Sequence, residues 1–357
     1  MKEKEYEAIF GDDEIYYKLD RLLSHNADIS WSQSIRNLGK SYDAMRLVGE
    51  TMKAGRNCVW LRWSKSETEL AKTVFEEFLG DKERYKSMKI PDSSATYITD
   101  IETGAVTYFM PVKMANDLKG LDIPELKWIV YDECVPEFYD VKTRRDVEFD
   151  KFMSLYKTLK RDCEDTRVIM ICNCIDWFTG YTLAWGITPF ESGVIKSFTK
   201  EVRIEVAGEV YSTSNKISFE NVRPSKGMIL RNLKDESLKG NAEELEQYYA
   251  NATQKKYTAI AICPDLNISL GGEQFRRGKS YYSYRYLDGY YYFCKTGKRT
   301  MDVTHVGTVV GMQANERKLP SMGKSIEELI NRGVAKFDTG HTYNAIVGLV
   351  WDYRKRV

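Results

Sequence analysis

Two near-continuous apolar runs, LKWIVYDECVPE (126–137) and TRVIMICNCI (166–175), constrain the fold of this chain more than any other feature. A strand that is apolar on both faces must be covered on both, as happens inside a parallel sheet flanked by helices. The neighbouring segments fit that demand. IYYKLDRLLS (15–24) has helical spacing, ISWSQS (29–34) reads as a short strand, and KSYDAMRLVGETMKAG (40–55) as a helix that Gly55 ends. NCVWLRW (57–63) is a strand rich in aromatic and branched residues. SETELAKTVFEEFLGD (66–81) is a helix opened by a capping box of Ser66 and Glu69. ATYITDIETGAVTYFMPV (95–112) reads as a hairpin about Glu102-Thr103-Gly104, and VEFDKFMSLYKTLKR (147–161) as an amphipathic helix. Strand and helix alternate to about residue 190, which predicts an α/β domain with a mostly parallel sheet.

Beyond that point the texture changes. SFTKEVRIEVAGEVYSTS suggests a ribbon, and NAEELEQYYANA (241–252) a polar helix suited to a linker. Short strands follow from about 255, then helices at 325–333 and 341–356. The expected division is a first domain over 1–210, a linker with a short helix over 211–254, and a smaller α+β domain over 255–357. A chain of 357 residues, 43% of them apolar, is long enough for two packed cores.

The chemistry starts where ISWSQS meets the following helix. Ser34-Ile35-Arg36-Asn37-Leu38-Gly39-Lys40-Ser41-Tyr42 carries the second half of the pattern G-x-x-x-x-G-K-[ST], with Ser34 in place of the first glycine. Loops of this kind cradle phosphates with backbone N–H groups and a helix N-terminus. Gly39 admits close approach, Lys40 reaches the β- and γ-phosphates, and Ser41 offers its hydroxyl to Mg²⁺. Serine is small and stands at the entry to the turn, so the loop is expected to close around it. Asp132 and Glu133 end a buried strand, where ligands of open α/β sheets bind. Asp132 is expected to hold the metal through its water shell, and Glu133 to polarise the hydrolytic water. Asn173 ends the next strand, as a γ-phosphate sensor or as a residue that satisfies a turn. Arg161 ends the helix before it, as a cation aimed at a neighbouring subunit's nucleotide or as a solvated helix-end charge.

In this order the motifs resemble the DNA-packaging ATPases of small short-tailed phages of the phi-twenty-nine type. Trp60-Leu61-Arg62, the segment from Lys119-Gly120 to Pro124, and Gly333-Val334-Ala335-Lys336-Phe337-Asp338 extend the resemblance over most of the chain. It implies a P-loop ATPase of the additional-strand type that threads double-stranded DNA into a preformed capsid, as a ring of five subunits. Lys40, Ser41, Asp132 and Glu133 would bind and hydrolyse ATP with Mg²⁺. Arg161 falls at the family's trans-acting arginine, Asn173 at its sensor and Lys119 at its DNA-touching pore lysine. Arg36 falls where related motors place a basic residue, and Arg62 has no defined role. The resemblance also implies a portal or connector partner, a packaging RNA, and a setting in the host cytoplasm on the procapsid. The C-terminal domain is expected to have an RNase H-like fold without nuclease activity, because Asp265, Asp288 and Asp302 form no convincing triad.

Other features limit the alternatives. The balance of 53 basic and 52 acidic residues argues neither for nor against nucleic acid. Seven cysteines in no framework spacing, Cys172 and Cys174 included, read as reduced structural thiols. Three scattered histidines argue against a histidine metal site or triad. The charged first twenty residues do not read as a signal peptide, and no apolar stretch approaches membrane-spanning length. RRGK (276–279) and the tyrosines after it are either a phosphate-tracking groove or a hairpin with a tyrosine face. Two rival functions stand: a large terminase with an active nuclease, and a non-catalytic, nucleotide-gated assembly protein.

Overall fold

A computed structural model of the chain describes residues 2–7, 10–11, 13–34, 36–90, 93–116, 122–135, 141–161, 163–173, 179–187, 190, 192–206 and 209–237. Beyond these it describes 274–277, 280–287, 290–296, 304–306, 316–318, 326, 329, 335–337, 342–343 and 345–348. The chain divides into two compact units, Met1–Ile175 with Ser192–Tyr248, and Asp176–Glu191 with Tyr249–Val357.

The first unit contains, in chain order, β1 (Lys2–Glu7), α1 (Asp20–Leu23), β2 (Ile29–Gln33), α2 (Lys40–Lys53), β3 (Asn57–Arg62), α3 (Lys65–Leu79), β4 (Tyr85–Lys89), β5 (Thr96–Asp100), β6 (Val106–Pro111), β7 (Leu126–Asp132), α4 (Val141–Lys160) and β8 (Arg167–Cys172). After α5 (Gly180–Trp185), which belongs to the second unit, come β9 (Val194–Val206), β10 (Glu209–Asn221) and α6 (Lys226–Ser237). Ten strands make one sheet in the order β1-β9-β10-β2-β8-β7-β3-β6-β5-β4. The six from β10 to β6 are parallel, and antiparallel strands close both edges. β2 is buried throughout, and β7 and β8 nearly so, which is why their sequences are apolar on both faces. The crossover from β2 to β3 steps across the sheet in one direction and that from β7 to β8 in the other. Right-handed crossovers therefore put α2 and α4 on opposite faces.

Several boundaries differ from expectation, each for a local reason. The capping box is Ser64 with Glu67, not Ser66 with Glu69. Ser64 leaves β3 in extended conformation, accepts from the Glu67 N–H at 3.3 Å, and donates its own N–H to Glu67 at 2.7 Å. Ser66 is already helical. α4 begins at 141 rather than 147, and β7 stops at Asp132 because Glu133 turns with φ 53°. Only Asp20–Leu23 of the segment 15–24 is helical. Tyr17 instead donates its hydroxyl to buried Glu220 at 2.5 Å, and the Leu19 N–H donates to Asp43 at 2.7 Å. The expected ribbon is β9 with β10, but β10 also pairs with β2, Phe219 opposite Trp31. The main sheet thus runs to Asn221, past the expected boundary at 210. α6 occupies the first part of the expected linker, and the helix read at 241–252 lies outside the described residues.

The second unit has a sheet of β11 (Gln274–Arg277), β12 (Ser280–Leu287), β13 (Tyr290–Thr296), β14 (Thr304–Val306), β15 (Glu316–Lys318) and β16 (Ala335–Phe337), ordered β15-β14-β11-β12-β13-β16. β11, β12 and β13 are antiparallel neighbours; the remaining pairs are parallel. Tyr282, Phe293, Phe337, Tyr343 and Ile346 form its core.

The corrected cap is directly testable. Ser64→Ala is expected to cost about 1 kcal/mol in urea unfolding, whereas Ser66→Ala should change stability by less than about 0.5 kcal/mol.

Candidate active site

β2 delivers the chain to buried Ser34, whose N–H donates to the Cys172 carbonyl on β8 at 3.3 Å. Asn37 (φ 60°) and Gly39 (φ 93°) then turn it into α2 through the left-handed region. A side chain at 39 would be strained by that φ, and its Cβ, 3.2 Å from Tyr16 Cδ1, would require the ring to shift. The Tyr17 N–H donates to the Leu38 carbonyl at 2.8 Å and ties the loop down from outside. No side chain of residue 39 caps α2, so its first N–H groups are presented to the loop, as anion binding requires. Leu38 is buried, Arg36 is exposed, and Tyr42 packs edge-on against Phe78 at 5.2 Å. Ile35 lies outside the described residues.

Lys40, the first residue of α2, is 2% exposed and donates from Nζ to Ser34 Oγ. The serine that departs from the pattern is thus the lysine's hydrogen-bond acceptor. Burial pushes the Lys40 ammonium down to about 8, while Cys172, Asp132, Glu220 and Cys134 pull the other way.

Ser41 Oγ donates to Asp132 Oδ1 at 2.9 Å. Asp132 is 1% exposed and also accepts from the Glu133 N–H at 3.1 Å. A hydroxyl beside a carboxylate at the mouth of a phosphate loop fits Mg²⁺, which takes one or two protein oxygens and fills its shell with phosphate and water. Glu133, at φ 53°, occupies a conformation costly for a side-chain-bearing residue, the kind of strain that gathers at functional sites. Asn173 directly follows β8, between the strand ends that carry the loop and the acids.

Arg62 completes the cluster. It is 3.0 Å from Asp132 Oδ2 and 2.5 Å from Glu133 Oε2. No sequence spacing links 62 to 132. The parallel register does, pairing Trp60 with Val130 and Leu61 with Tyr131, so that Arg62 comes level with Asp132. In this state the carboxylate expected to activate water is held by a cation.

Arg161 is not brought to the site. α4 ends at Lys160, whose Nζ lies 3.2 Å from Asp28, just before the start of β2. The loop lies at the opposite end of β2 and β8, roughly 20 Å away across six residues of strand. Lys119, Asp265, Asp288 and Asp302 lie outside the described residues. Among the described residues no group of three or more His, Cys, Asp or Glu is arranged as a metal site, and no helix is long and apolar enough to cross a membrane.

Fold and site together have the arrangement of a P-loop α/β protein in which an additional strand, β8, separates the loop strand from the acid-bearing strand. The chain belongs to the podovirus DNA encapsidation protein (Gp16) family, whose sequence pattern matches residues 11–223. Two solved structures share its fold over nearly all its length. The Phi-28 gp11 DNA packaging motor is 16% identical, with a TM-score of 0.52 over 95% of this chain and 98% of that one. The bacteriophage Phi-29 viral genome packaging motor assembly is 14% identical, with a TM-score of 0.56 over 93% and 97%. No curated protein sequence matches the chain.

Lys40 gives a pH signature. Below about pH 8 it is charged before and after a triphosphate binds, so affinity should not vary through this group. Above about pH 8 binding must take up a proton, and ATP affinity is expected to fall by up to about tenfold per pH unit. Titration calorimetry across that range checks the slope, which Lys40→Arg should abolish because a guanidinium stays charged.

Proposed function

We propose that this chain is the ATP-hydrolysing subunit of a ring motor that drives double-stranded DNA into a preformed capsid. The observation that carries the reading is the convergence of Lys40, Ser41, Asp132 and Glu133 at the ends of the parallel strands β2 and β7, which flank β8, in a DNA encapsidation protein. ATP lies along the loop from Ser34 to Tyr42, and Lys40 exchanges Ser34 for its phosphates. Mg²⁺ held at Ser41 and Asp132 neutralises charge on the β- and γ-phosphates. Glu133 orients the attacking water once Arg62 releases it. Asn173 senses the γ-phosphate. Arg161, too distant to serve its own subunit, stabilises the transition state in a neighbour, which requires a closed ring; Arg36 is the alternative cation in cis. Lys119 meets DNA phosphates without reading bases. The ring, pentameric by resemblance, docks on the capsid portal or connector, with a packaging RNA as a further partner, on the procapsid in the host cytoplasm.

The second unit is RNase H-like in this reading. An antiparallel β11-β12-β13 meander extended by parallel β14 and β15 on its first-strand side supports that. In this reading the unit lacks nuclease activity; its candidate acids Asp265, Asp288 and Asp302 lie outside the described residues.

The deciding measurement is steady-state ATP hydrolysis, with and without duplex DNA, by the assembled protein. Wild type should turn over faster with DNA, and Glu133→Gln and Arg161→Ala should each lose about a thousandfold. Mixing the two inactive variants should restore turnover, since an intact Glu133 in one subunit then meets an intact Arg161 from the next. No restoration would return Arg161 to a structural role, and silence of an assembled wild-type ring would favour the assembly-protein reading. Arg62→Gln should raise DNA-independent hydrolysis relative to the DNA-stimulated rate, because it frees Glu133; an unchanged ratio would show that the Arg62 contact does not restrain it.

A further inference from the structure

The catalytic groups all lie to one side of the loop. β2 has β8, then β7, on the flank that carries Asn173, Asp132 and Glu133, and β10 on the other. A triphosphate laid across the loop with its last phosphate toward Glu133 must extend its nucleoside toward β10. On that flank stand the segment before α1 and the helix α6 that follows β10. Tyr16 is 50% exposed there, packed against Gly39 of the loop itself. The Arg231 guanidinium of α6 sits 4.3 Å from the Tyr16 ring centroid. Arg231 Nη2 donates to Asn232 Oδ1 at 3.2 Å. Asn232 is 2% exposed, and its Nδ2 has no hydrogen-bond partner among the described residues. Helix and segment are held together, since Ser225, which caps α6 by accepting from the Met228 N–H at 3.0 Å, donates its hydroxyl to the Glu14 carbonyl.

Each feature asks for the same ligand. A half-exposed aromatic ring backing a guanidinium plane is a stacking surface for a heteroaromatic base. A buried amide with an unused donor is costly until it meets an acceptor, and a purine edge offers ring nitrogens. We propose that Tyr16, Arg231 and Asn232 form the nucleobase subsite, with the purine stacked on the Tyr16–Arg231 pair and its edge toward Asn232 Nδ2. The proposal rests on the reading of the loop as an ATP site. It adds that base recognition comes from α6 and the segment before α1, so that the nucleoside spans two elements that the phosphates alone do not touch.

The test separates base from phosphates. Binding of MgATP and of Mg²⁺-tripolyphosphate is measured by calorimetry on wild type, Tyr16→Ala, Tyr16→Phe and Arg231→Ala. Tyr16→Ala and Arg231→Ala are expected to weaken ATP by about tenfold or more and to leave tripolyphosphate unchanged, with Tyr16→Phe close to wild type. Equal losses for both ligands would show that Tyr16 only shapes Gly39, and would overturn the proposal. Arg231→Ala guards that outcome, because it leaves the Tyr16–Gly39 packing in place. Unchanged ATP affinity in both alanine variants would place the base elsewhere. Wild type that binds tripolyphosphate as tightly as ATP would also defeat the base subsite while leaving the phosphate loop standing. Wild type that binds neither would remove the nucleotide reading and this subsite with it.

Discussion

Lys40 and Asp132 are ionisable groups that water scarcely reaches, Arg62 beside them is partly buried, and the structure around the strand ends depends on their mutual arrangement. Moving any one of them into a packed interior alone costs far more than folding can supply. Here Asp132 is held by Ser41, by the Glu133 N–H and by Arg62, while Arg62 spans both acids. Lys40 donates to the neutral hydroxyl of Ser34, and burial lowers its pKa to about 8. A triphosphate with its divalent cation would bring further negative charge to Lys40 and a second cation to Asp132, which Arg62 already faces.

That arrangement follows from strand order more than from any single motif. Residues 34–41, 62, 132–133 and 173 are scattered through the chain, and they meet because β2, β8, β7 and β3 are consecutive and parallel. The same geometry separates Arg161 from them. A helix that returns antiparallel to its strand ends at the opposite end of the strands, so Arg161 lies away from the loop.

Much of this was legible because it is local. Apolar runs announced buried parallel strands, and Gly-Lys-Ser between a strand and a helix announced the loop. Arg62 had no assigned role because its partners depend on the β3–β7 register, which no spacing encodes. β10 was read as part of a free ribbon because its pairing with β2 spans nearly two hundred residues. The cap moved from Ser66 to Ser64 because two serines two residues apart each have a glutamate three residues on; only the backbone of the strand exit chooses between them. Tyr16 and Arg231 are unremarkable as isolated letters and acquire meaning only through Gly39.

Ser34 is the point where local and non-local evidence meet. By pattern it is a defect, since glycine gives the entry of the loop more freedom. In the fold its backbone is fixed by Cys172 and its hydroxyl takes the ammonium of Lys40. A glycine there would leave that buried ammonium without this acceptor, a cost set by desolvation and not by the worth of one ordinary hydrogen bond. The serine therefore steadies the loop through its hydroxyl, and in the proposed reading a phosphate would compete with that hydroxyl for Lys40.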